Sequence, residues 1–312
     1  MSLLRGEIAG HPVRNERWIR RSLKKIQRAL MDIGHHLSCT TIRRLLLDAK
    51  IRPRANVKHL APKPHPDRDK QFLYVMSVRV QFESGTEPIV SVDAKNKEKI
   101  GLFAQAGHVW AENAPEVYAL DFPQRDTKKA TPFGIYDVRR NRGFVCVGLS
   151  GNTPDFAIDS LRAWWKHEGR VHYRHSTKLL ILADGGGSNG YRPRRWKTQL
   201  QRFADKTGLE ITVCHYPPGA SKWNPIEHRL FRQISNTWAG TPLTSLEHLL
   251  EAIRFTTTET GLRVSAILLD RIYPTKLRAS KEEWMALNIF HHATCPMWNY
   301  TIKSNRHILS SK

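Results

Sequence analysis

Apolar residues near the start of the chain recur at helical spacing. Those from Leu23 to Ile33 stand three or four residues apart, which predicts one face of a helix that Gly34 ends. Ser38 suits the N-cap of a second helix over 39–49, which should pack against the first. Two short helices joined by a glycine-containing turn resemble a helix-turn-helix, although a plain helical hairpin with a solvated basic face has the same pattern. In the helix-turn-helix interpretation, the side chains that face DNA are Thr40, Thr41, Arg43 and Arg44.

A second pattern, over 178–238, indicates an α/β unit of strand, glycine-rich turn, helix, strand, turn and helix. Short apolar runs at 89–92, 133–138 and 144–149 predict three earlier strands with short connections. A helix with Thr153 as its N-cap follows them. Strands with short connections, followed by alternating helix and strand, predict an α/β fold with a mixed sheet flanked by helices.

The stretch over 51–70 is rich in proline and charge and predicts a linker, with Arg52 and Arg54 as further DNA contacts. A helix should follow over 67–83. Its inward face is predicted to hold Phe72, Val75, Met76 and Val80. Beyond Gly240 the pattern becomes helical again. The predicted organisation is a helix-turn-helix-like region at 1–60, a linker and helix at 61–86, an α/β domain at 87–240 and a helical region at 241–312.

Charge is the strongest signal in the composition. The 312 residues include 50 Lys and Arg against 28 Asp and Glu, a formal net charge of +22. The basic residues are spread through segments that should fold, so nucleic acid is favoured as a partner over a merely solvated basic surface. The four cysteines lie far apart, which fits a reducing cytosol. No signal peptide and no apolar run of membrane-spanning length is visible, so we expect a soluble protein.

Two carboxylates follow strand-like runs. Asp93 ends the run SVD and Asp184 follows LLILA, although either could instead form an Asx turn at the end of its strand. If the two strands are parallel neighbours, both acids meet at one edge of the sheet. There they would repel each other unless a cation lay between them.

A third acid begins the last helix of the α/β unit. Asn224 suits the N-cap of this helix, and Glu227 stands where a capping-box glutamate would. Phe231, Ile234 and Trp238 share a helix face with Glu227, and that apolar face should be buried. The carboxylate is therefore predicted to point under the helix towards the sheet. Capping and metal binding are compatible roles for it.

Three carboxylates without a thiol cluster predict Mg²⁺ or Mn²⁺, as two ions, instead of zinc. Two such ions, about 3.5–4 Å apart, activate a water or a 3′-hydroxyl at a phosphodiester and stabilise the leaving oxygen. Nearby basic side chains would hold the phosphates, although a solvated helix face has the same pattern. These candidates are Arg192, Arg194, Arg195, Lys197, Lys222, Arg229 and Arg232.

The glycine-rich turn over 185–190 also satisfies the GxGxxG pattern of a dinucleotide site. That site needs an acid at the end of the next strand, whereas here ITVCHY runs into Pro217, Pro218 and Gly219. It would also leave the positive charge unexplained. A phosphate-binding P-loop lacks its Gly-Lys-Ser/Thr, so neither nucleotide site is favoured.

Several motifs together resemble one family, the Rhodopirellula-type DDE transposases of bacterial insertion sequences. The motifs are SVDAKNKEKIGLF, YDVRRNRGFVCVG, LLILADGGGSNGYRPRRWK, CHYPPGASKWNPIEHRLF, HPDRDKQF and WNYTI. The resemblance extends from about Leu23 to Ile302. It implies a ribonuclease-H-like catalytic domain at 87–240, whose first and fourth strands are adjacent. It also implies a DDE triad, which falls on Asp93, Asp184 and Glu227.

The resemblance further implies a DNA transposase that nicks the ends of an insertion sequence with divalent metal and joins the freed 3′-hydroxyl to target DNA. Its partners would be the terminal inverted repeats, the target DNA and further copies of the chain, in the bacterial cytoplasm at the nucleoid. Family members generally have more sequence before the helix-turn-helix-like region, so the chain could be a truncated copy. The alternatives are a non-catalytic DNA-binding remnant or regulator, and another ribonuclease-H-like nuclease.

Overall fold

The structure, a computed structural model, describes residues 8–10, 17–19, 22–49, 51–52, 65–119, 127–220 and 223–305. The chain divides into two compact units, Met1–Pro62 and Lys63–Lys312. The predicted DNA contacts Arg54 and Lys222 lie outside the described residues.

The helical hairpin predicted in the first unit is present. Ser38, the N-cap of the second helix, accepts a hydrogen bond from the Thr41 amide. Gly34, with a φ of 86°, ends the turn that follows the first helix. Ile26 and Ile42 are the buried residues of the two helices. The elements of this unit are β1 (Ile8–Gly10), β2 (Arg17–Ile19), α1 (Leu23–Met31) and α2 (Cys39–Asp48).

The predicted apolar face of α1 is wrong at its end. Leu23 and Leu30 are half-buried, but Ile33 is 49% exposed. The helix ends at Met31, so Ile33 no longer follows the helical rotation that would bring it to the same face.

The second unit is built on one mixed sheet, in which the described residues form nine strands. The strands are β3 (Ile89–Ala94), β4 (Glu98–Lys99), β5 (Lys129–Asp137), β6 (Arg142–Gly148), β7 (Lys178–Ala183), β8 (Glu210–His215), β9 (Arg263–Leu269), β10 (Ile289–His291) and β11 (Asn299–Ile302). The helices are α3 (Arg68–Glu83), α4 (Pro154–Trp164), α5 (Arg170–His172), α6 (Arg194–Thr207), α7 (Arg232–Thr237), α8 (Leu246–Arg254) and α9 (Lys281–Met285). Two π-helical turns, Trp165–Gly169 and Glu227–Phe231, lead into α5 and α7.

The strand order is β10-β11-β8-β7-β3-β5-β6-β9, with the short β4 beside β5. The strands β3, β7 and β8 are parallel, whereas β5 runs antiparallel to β3 and to β6. Apart from β4, β3 is the first strand of the sheet in chain order and β7 is the fourth. These two are neighbours, so the adjacency that a ribonuclease-H-like domain requires is confirmed.

Alternation along β3 shows how the sheet is covered. Val90 and Val92 join the apolar cluster of α4 and α6, which includes Trp164 and Trp196. Ile89 belongs to the cluster on the other face, with α3 and β7. Because side chains alternate along a strand, β3 is buried on both faces, as its apolar run predicted.

The helix predicted over 67–83 is confirmed, but its inward face is partly wrong. Gln71, Val75 and Val78 are its buried residues, whereas Met76 and Val80 are 62% and 63% exposed. The side-chain amide of Gln71 donates to oxygens of β8 and β11. Burial of this polar residue turns the inward stripe away from the positions that hydrophobicity alone favours.

The prediction of a helical region over 241–312 is wrong in part. It contains α8 and α9, but also the strands β9, β10 and β11. β9 pairs with β6, and β11 pairs with β8, so this region completes both sides of the sheet. These are long-range pairings that local helical signals do not reveal. No helix among the described residues is long and apolar enough to cross a membrane.

Candidate functional site

Two acids lie at the carboxyl ends of the neighbouring strands β3 and β7. Val92 of β3 pairs with Ala183 of β7 in parallel register. Asp93 and Asp184 are the residues that follow this pair. Alternation places Asp93 on the same face as Ser91, whose hydroxyl contacts the segment leading to Glu227. The family resemblance implied this neighbour relation, which the strand pattern alone left open, and it is present.

Glu227 reaches the same face from the start of a π-helical turn. Phe231, Ile234 and Trp238 are buried against the sheet, as their spacing predicted. Glu227 itself is partly exposed. The apolar residues therefore hold this segment against the sheet, with the carboxylate at its exposed beginning.

Gly134 allows this segment to come close to β3. It pairs with Asp93 across the antiparallel β3–β5 ladder. A Cβ atom at Gly134 would lie 2.6 Å from Cε1 of Phe231 and 2.9 Å from Cδ1 of Ile226. The missing side chain is therefore the space in which the segment carrying Glu227 packs beside Asp93.

The three carboxylates are close enough to perturb one another. Burial, followed by the charge of Asp184, raises the pKa of Asp93 to about 8, with a smaller contribution from Glu227. Burial and the charge of Glu227 raise the pKa of Asp184 to about 6. Burial also raises the pKa of Glu227, whereas the charges of His228 and Lys95 lower it. Without a cation, burial and the neighbouring charges therefore favour the protonated form of the Asp93 carboxyl.

The donor chemistry of this site fits a hard divalent cation. Among the described residues, no three Asp, Glu, His or Cys side chains already stand in the arrangement of a bound metal ion. The three carboxylates face one region but are not arranged around a single metal position. A bound cation would have to draw them together. Carboxylate oxygens are the ligands that Mg²⁺ and Mn²⁺ prefer, and a cation would remove the repulsion that raises their pKa values.

Asn224 is fully buried between the elements that carry the acids. Its Oδ1 accepts a hydrogen bond from the Ser91 hydroxyl, and its Nδ2 donates to the Val92 carbonyl and to Oδ1 of Asp184, both at 3.4 Å. The Ser91 hydroxyl in turn accepts the Ile226 amide at 3.0 Å. The Ser91 hydroxyl therefore bonds the Ile226 amide near the start of the helix, in place of the predicted N-cap Asn224. The Asn224 side chain instead joins β3 to the end of β7.

A buried hydrogen-bond chain holds the backbone of Asp184. Nδ1 of His215 lies 2.8 Å from the Asp184 carbonyl oxygen, so this nitrogen must donate. Nε2 then accepts from the Tyr300 hydroxyl, which itself accepts from the Trp196 indole. Burial lowers the pKa of His215 to about 4, which keeps the ring neutral and its tautomer defined.

The family of the chain is shown by its sequence. The sequence model of the Rhodopirellula transposase DDE domain matches residues 1–304. The chain belongs to this family. It is therefore a DDE transposase, an enzyme of the polynucleotidyl transferase and endonuclease class, and its sheet has the ribonuclease-H-like order.

Solved structures similar to this transposase include complexes of Mos1. The Mos1 paired-end complex with the left transposon end is 17% identical, with a TM-score of 0.43 over 78% of this chain and 71% of that chain. The mariner Mos1 paired-end complex with Mg is 14% identical, with a TM-score of 0.48 over 78% and 71%. The search of curated proteins found no match.

Two of the predicted DNA contacts of the transposase are engaged within its fold. Lys197 is 8% exposed, its ammonium lies 4.9 Å from the centre of the Tyr300 ring, and burial lowers its pKa. The Arg195 guanidinium bonds to Asp155 at 2.8 Å and to Glu283 at 3.3 Å. These placements argue against both side chains as DNA contacts.

The other basic candidates on this unit are exposed. Arg192 stacks over the Tyr191 ring and Arg194 over the Trp284 ring, at 5.3 and 4.8 Å from the ring centres. Arg229 and Arg232 are exposed on the segment that follows Glu227. They remain predicted DNA contacts.

The candidates in the first unit are described separately. Thr40, Arg43 and Arg44 are exposed on α2, and Arg52 is exposed after it. Thr41 is half-buried, and its hydroxyl lies 2.9 Å from that of Ser38 in the helix cap. Its part in the cap leaves it a weaker candidate for DNA than its neighbours.

Arg195 should matter for stability more than for DNA. The Arg195→Ala protein should lose about 2 kcal/mol of unfolding free energy, because charge-assisted hydrogen bonds contribute about 1.5–3 kcal/mol. Its affinity for DNA should stay close to that of the wild type. Arg194→Ala is the matched control, expected to weaken DNA binding and to leave stability nearly unchanged. Denaturant unfolding and DNA binding in EDTA would measure both, and the reverse pattern would show that the roles are exchanged.

Sequence reasoning missed several residues that support the acids. Ser91 was visible as a lone hydroxyl in an apolar run, two residues before Asp93 and therefore on its face. Asn224 was considered only as a helix cap. Gly134 and His215 carried no local signal, because their roles depend on partners that are distant in the chain.

Proposed function

We propose that this transposase nicks DNA at the ends of an insertion sequence and joins the freed 3′-hydroxyl to target DNA. The observation that supports this reaction is the approach of three carboxylates from β3, β7 and the turn before α7 to one face of the sheet. Without a cation, the charges of the neighbouring carboxylates raise the pKa values of Asp93 and Asp184, so their ionised forms are disfavoured. Such an arrangement is expected where function requires a bound cation.

We also propose that Asp93, Asp184 and Glu227 are the catalytic residues and hold Mg²⁺ or Mn²⁺, as two ions. When bound, such ions lower the pKa of the attacking hydroxyl and neutralise charge on the phosphodiester. The chain's own contribution is positional. Asn224 fixes the spacing between β3 and the Asp184 carboxylate, and His215 holds the Asp184 backbone.

DNA would be bound by both units. We propose that the helix-turn-helix-like region at 1–60 recognises the terminal inverted repeats, through the exposed side chains of α2. The region at 61–86 would connect it to the catalytic domain, which we extend from 87–240 to 87–302 because β9, β10 and β11 belong to the same sheet. The transposase would act as a homo-oligomer, since the two ends of an element are cut and joined together.

The test is cleavage of a duplex that carries the DNA flanking the coding region. With Mg²⁺ or Mn²⁺, the wild type should produce a nick with a free 3′-hydroxyl and then a joined product, and EDTA should prevent both. Salt-sensitive binding without cleavage in any metal would support the non-catalytic DNA-binding alternative. Cleavage confined to RNA–DNA hybrids or junctions would support the other nuclease.

Asn224→Asp tests the positioning of the acids. The change replaces the amide donor near Asp184 by a second negative oxygen, so nicking should fall by about 10²-fold, as expected for a displacement of about 1 Å. Unfolding free energy should fall by about 1–3 kcal/mol.

The matched control for this change is Gln201→Glu. Gln201 is also buried, and its amide donates to the carboxylate of Asp205 and to a backbone carbonyl. The control should lose comparable stability and nick at the wild-type rate. Equal losses of nicking in the two variants would show that Asn224 contributes only to stability and does not position the acids.

A further inference from the structure

A basic cavity of about 600 Å³ lies beside the glycine-rich loop that follows Asp184. Gly187 and Ser188 of this loop form part of its wall. The start of α6 and the segment 276–279 form other parts. The loop resembled a nucleotide site in the sequence, and the proposed reaction gives it no role.

Uncompensated positive charge distinguishes this cavity. Arg194, Lys276 and Arg278 line it and are exposed, and within the described residues none of them forms an ion pair. Arg195 also lines it, but its charge is matched by Asp155 and by a glutamate of α9. The lining contains no carboxylate. The three cations come from segments about eighty residues apart, so the sequence alone does not bring them together.

A hydrogen bond and a tight turn constrain the loop that forms part of the cavity wall. The Ser188 hydroxyl donates to Oδ1 of Asn152 at 2.8 Å, which ties the loop to the segment before α4. A Cβ atom at Gly190 would lie 2.8 Å from two carbonyl oxygens of the same loop, so this turn requires glycine. α6 begins here without a side-chain cap, which adds the positive end of a 14-residue helix to the three cations.

We propose that this cavity binds a backbone phosphate of the DNA strand that reaches Asp184. The inference rests on the proposed function for the course of that strand. Gly187 is three residues after Asp184, so this wall of the cavity lies within about 11 Å of the Asp184 backbone along the same loop. The chemistry recognised is a phosphate, which a DNA backbone or a free nucleotide could supply. Because the cations are exposed at the surface, a DNA backbone can reach them, and we assign the phosphate to DNA.

The experiment compares two double variants of the full chain in EDTA, where no cleavage occurs. Lys276→Asn with Arg278→Gln removes two cavity cations, and Asn suits the positive φ of 65° at position 276. Arg174→Gln with Lys206→Gln is the matched control. It removes two exposed cations near the amino ends of β7 and β8, away from the cavity. Melting temperatures of both should match the wild type, since all four side chains are exposed.

Binding of a duplex would be measured over a range of salt concentrations. The cavity variant should bind the duplex at least about tenfold more weakly at 0.1 M salt. The slope of its log binding constant against log salt concentration should be smaller in magnitude by about 1–2. The control should change neither by a comparable amount. Equal losses in the two variants would overturn the proposal.

A second arm of the experiment separates the two sources of phosphate. Thymidine monophosphate should bind the wild type only weakly, since it lacks the neighbouring phosphates that hold a DNA strand on the protein. Tight binding of the nucleotide by the wild type alone, with unchanged duplex binding by the cavity variant, would overturn the DNA assignment. If no metal supports cleavage but the cavity variant still loses duplex affinity, the proposed reaction fails and the phosphate site stands.

Discussion

Without metal, the Asp93→Asn transposase should be more stable than the wild type, and Mn²⁺ should stabilise it much less than it stabilises the wild type. The folded protein raises the pKa of Asp93 to about 8 by burial and by the charges of Asp184 and Glu227. An unfolded aspartate has a pKa of about 3.9. Between these values the folded state keeps a proton that the unfolded state releases, so rising pH destabilises the wild type. Asparagine has no such proton.

The advantage of the variant should therefore grow from about pH 4 to about pH 8 and then level off. Denaturant unfolding in EDTA at several pH values would measure it. Mn²⁺ at 100 times its dissociation constant should stabilise the wild type by about 2.7 kcal/mol and the variant by much less.

Asp137→Asn is the matched control for this experiment. Asp137 is also buried with a raised pKa, but it bonds to Tyr173 and pairs with Val90 near the start of β3, whereas Asp93 pairs with Gly134. It should retain full stabilisation by Mn²⁺. An Asp93→Asn protein that gains as much from Mn²⁺ as the wild type would remove Asp93 from the metal site.

Gly134→Ala should reduce nicking by about 10²-fold while the fold persists, since displacing a catalytic group by about 1 Å costs that much. The new methyl group would stand 2.6 Å from Phe231 and would push the segment carrying Glu227 away from β3. Overpacking of this kind should also cost about 1–3 kcal/mol of unfolding free energy. Single-turnover nicking and denaturant unfolding would measure the two effects.

Gly148→Ala separates displacement of the acid from loss of stability. A Cβ atom at Gly148 would lie 2.8 Å from Phe156 of α4, on the face of the sheet away from Glu227. The steric conflict is similar, so the loss of stability should be similar too. The Gly148→Ala variant should lose only stability and should nick DNA at the wild-type rate. If both variants lose nicking equally, the position of Glu227 does not depend on Gly134.

The sequence was sufficient to predict the acids and the strands that carry them, because these depend on local patterns. LLILA predicts a strand buried on both faces, and an acid directly after it lies at the edge where ligands gather. That Asp93 and Asp184 are neighbours was not a consequence of local pattern. It depended on strand order, which the family resemblance supplied and the register of β3 and β7 confirmed.

The failures have a common physical cause, which is pairing between distant segments. The helical pattern near 281–292 ends at Met285, and Ile289–His291 pairs with β11 instead of continuing the helix. Gln71 is buried because oxygens of β8 and β11 accept its amide hydrogens, which no local hydrophobic pattern indicates. Lys197 was predicted to contact DNA, but it is covered by the fold beside Tyr300.

The site shows the same division between local and long-range information. Glu227 and its buried helix face follow from spacing along one segment. The roles of Gly134 and of His215 require knowledge of what packs against them, so they appear only in the folded chain. The candidate catalytic residues were therefore easier to predict than the residues that position them.

The most direct test of the proposed reaction is the single-turnover rate of DNA nicking in Mg²⁺ by four proteins. These are the wild type, Asp93→Asn, Asp184→Asn and Glu227→Gln, each with the DNA that flanks the coding region. Each variant should be slower by at least about 10³-fold, because each loses several kcal/mol of transition-state stabilisation. A variant that nicks at nearly the wild-type rate would contradict the assignment of these three carboxylates as the metal-binding catalytic centre.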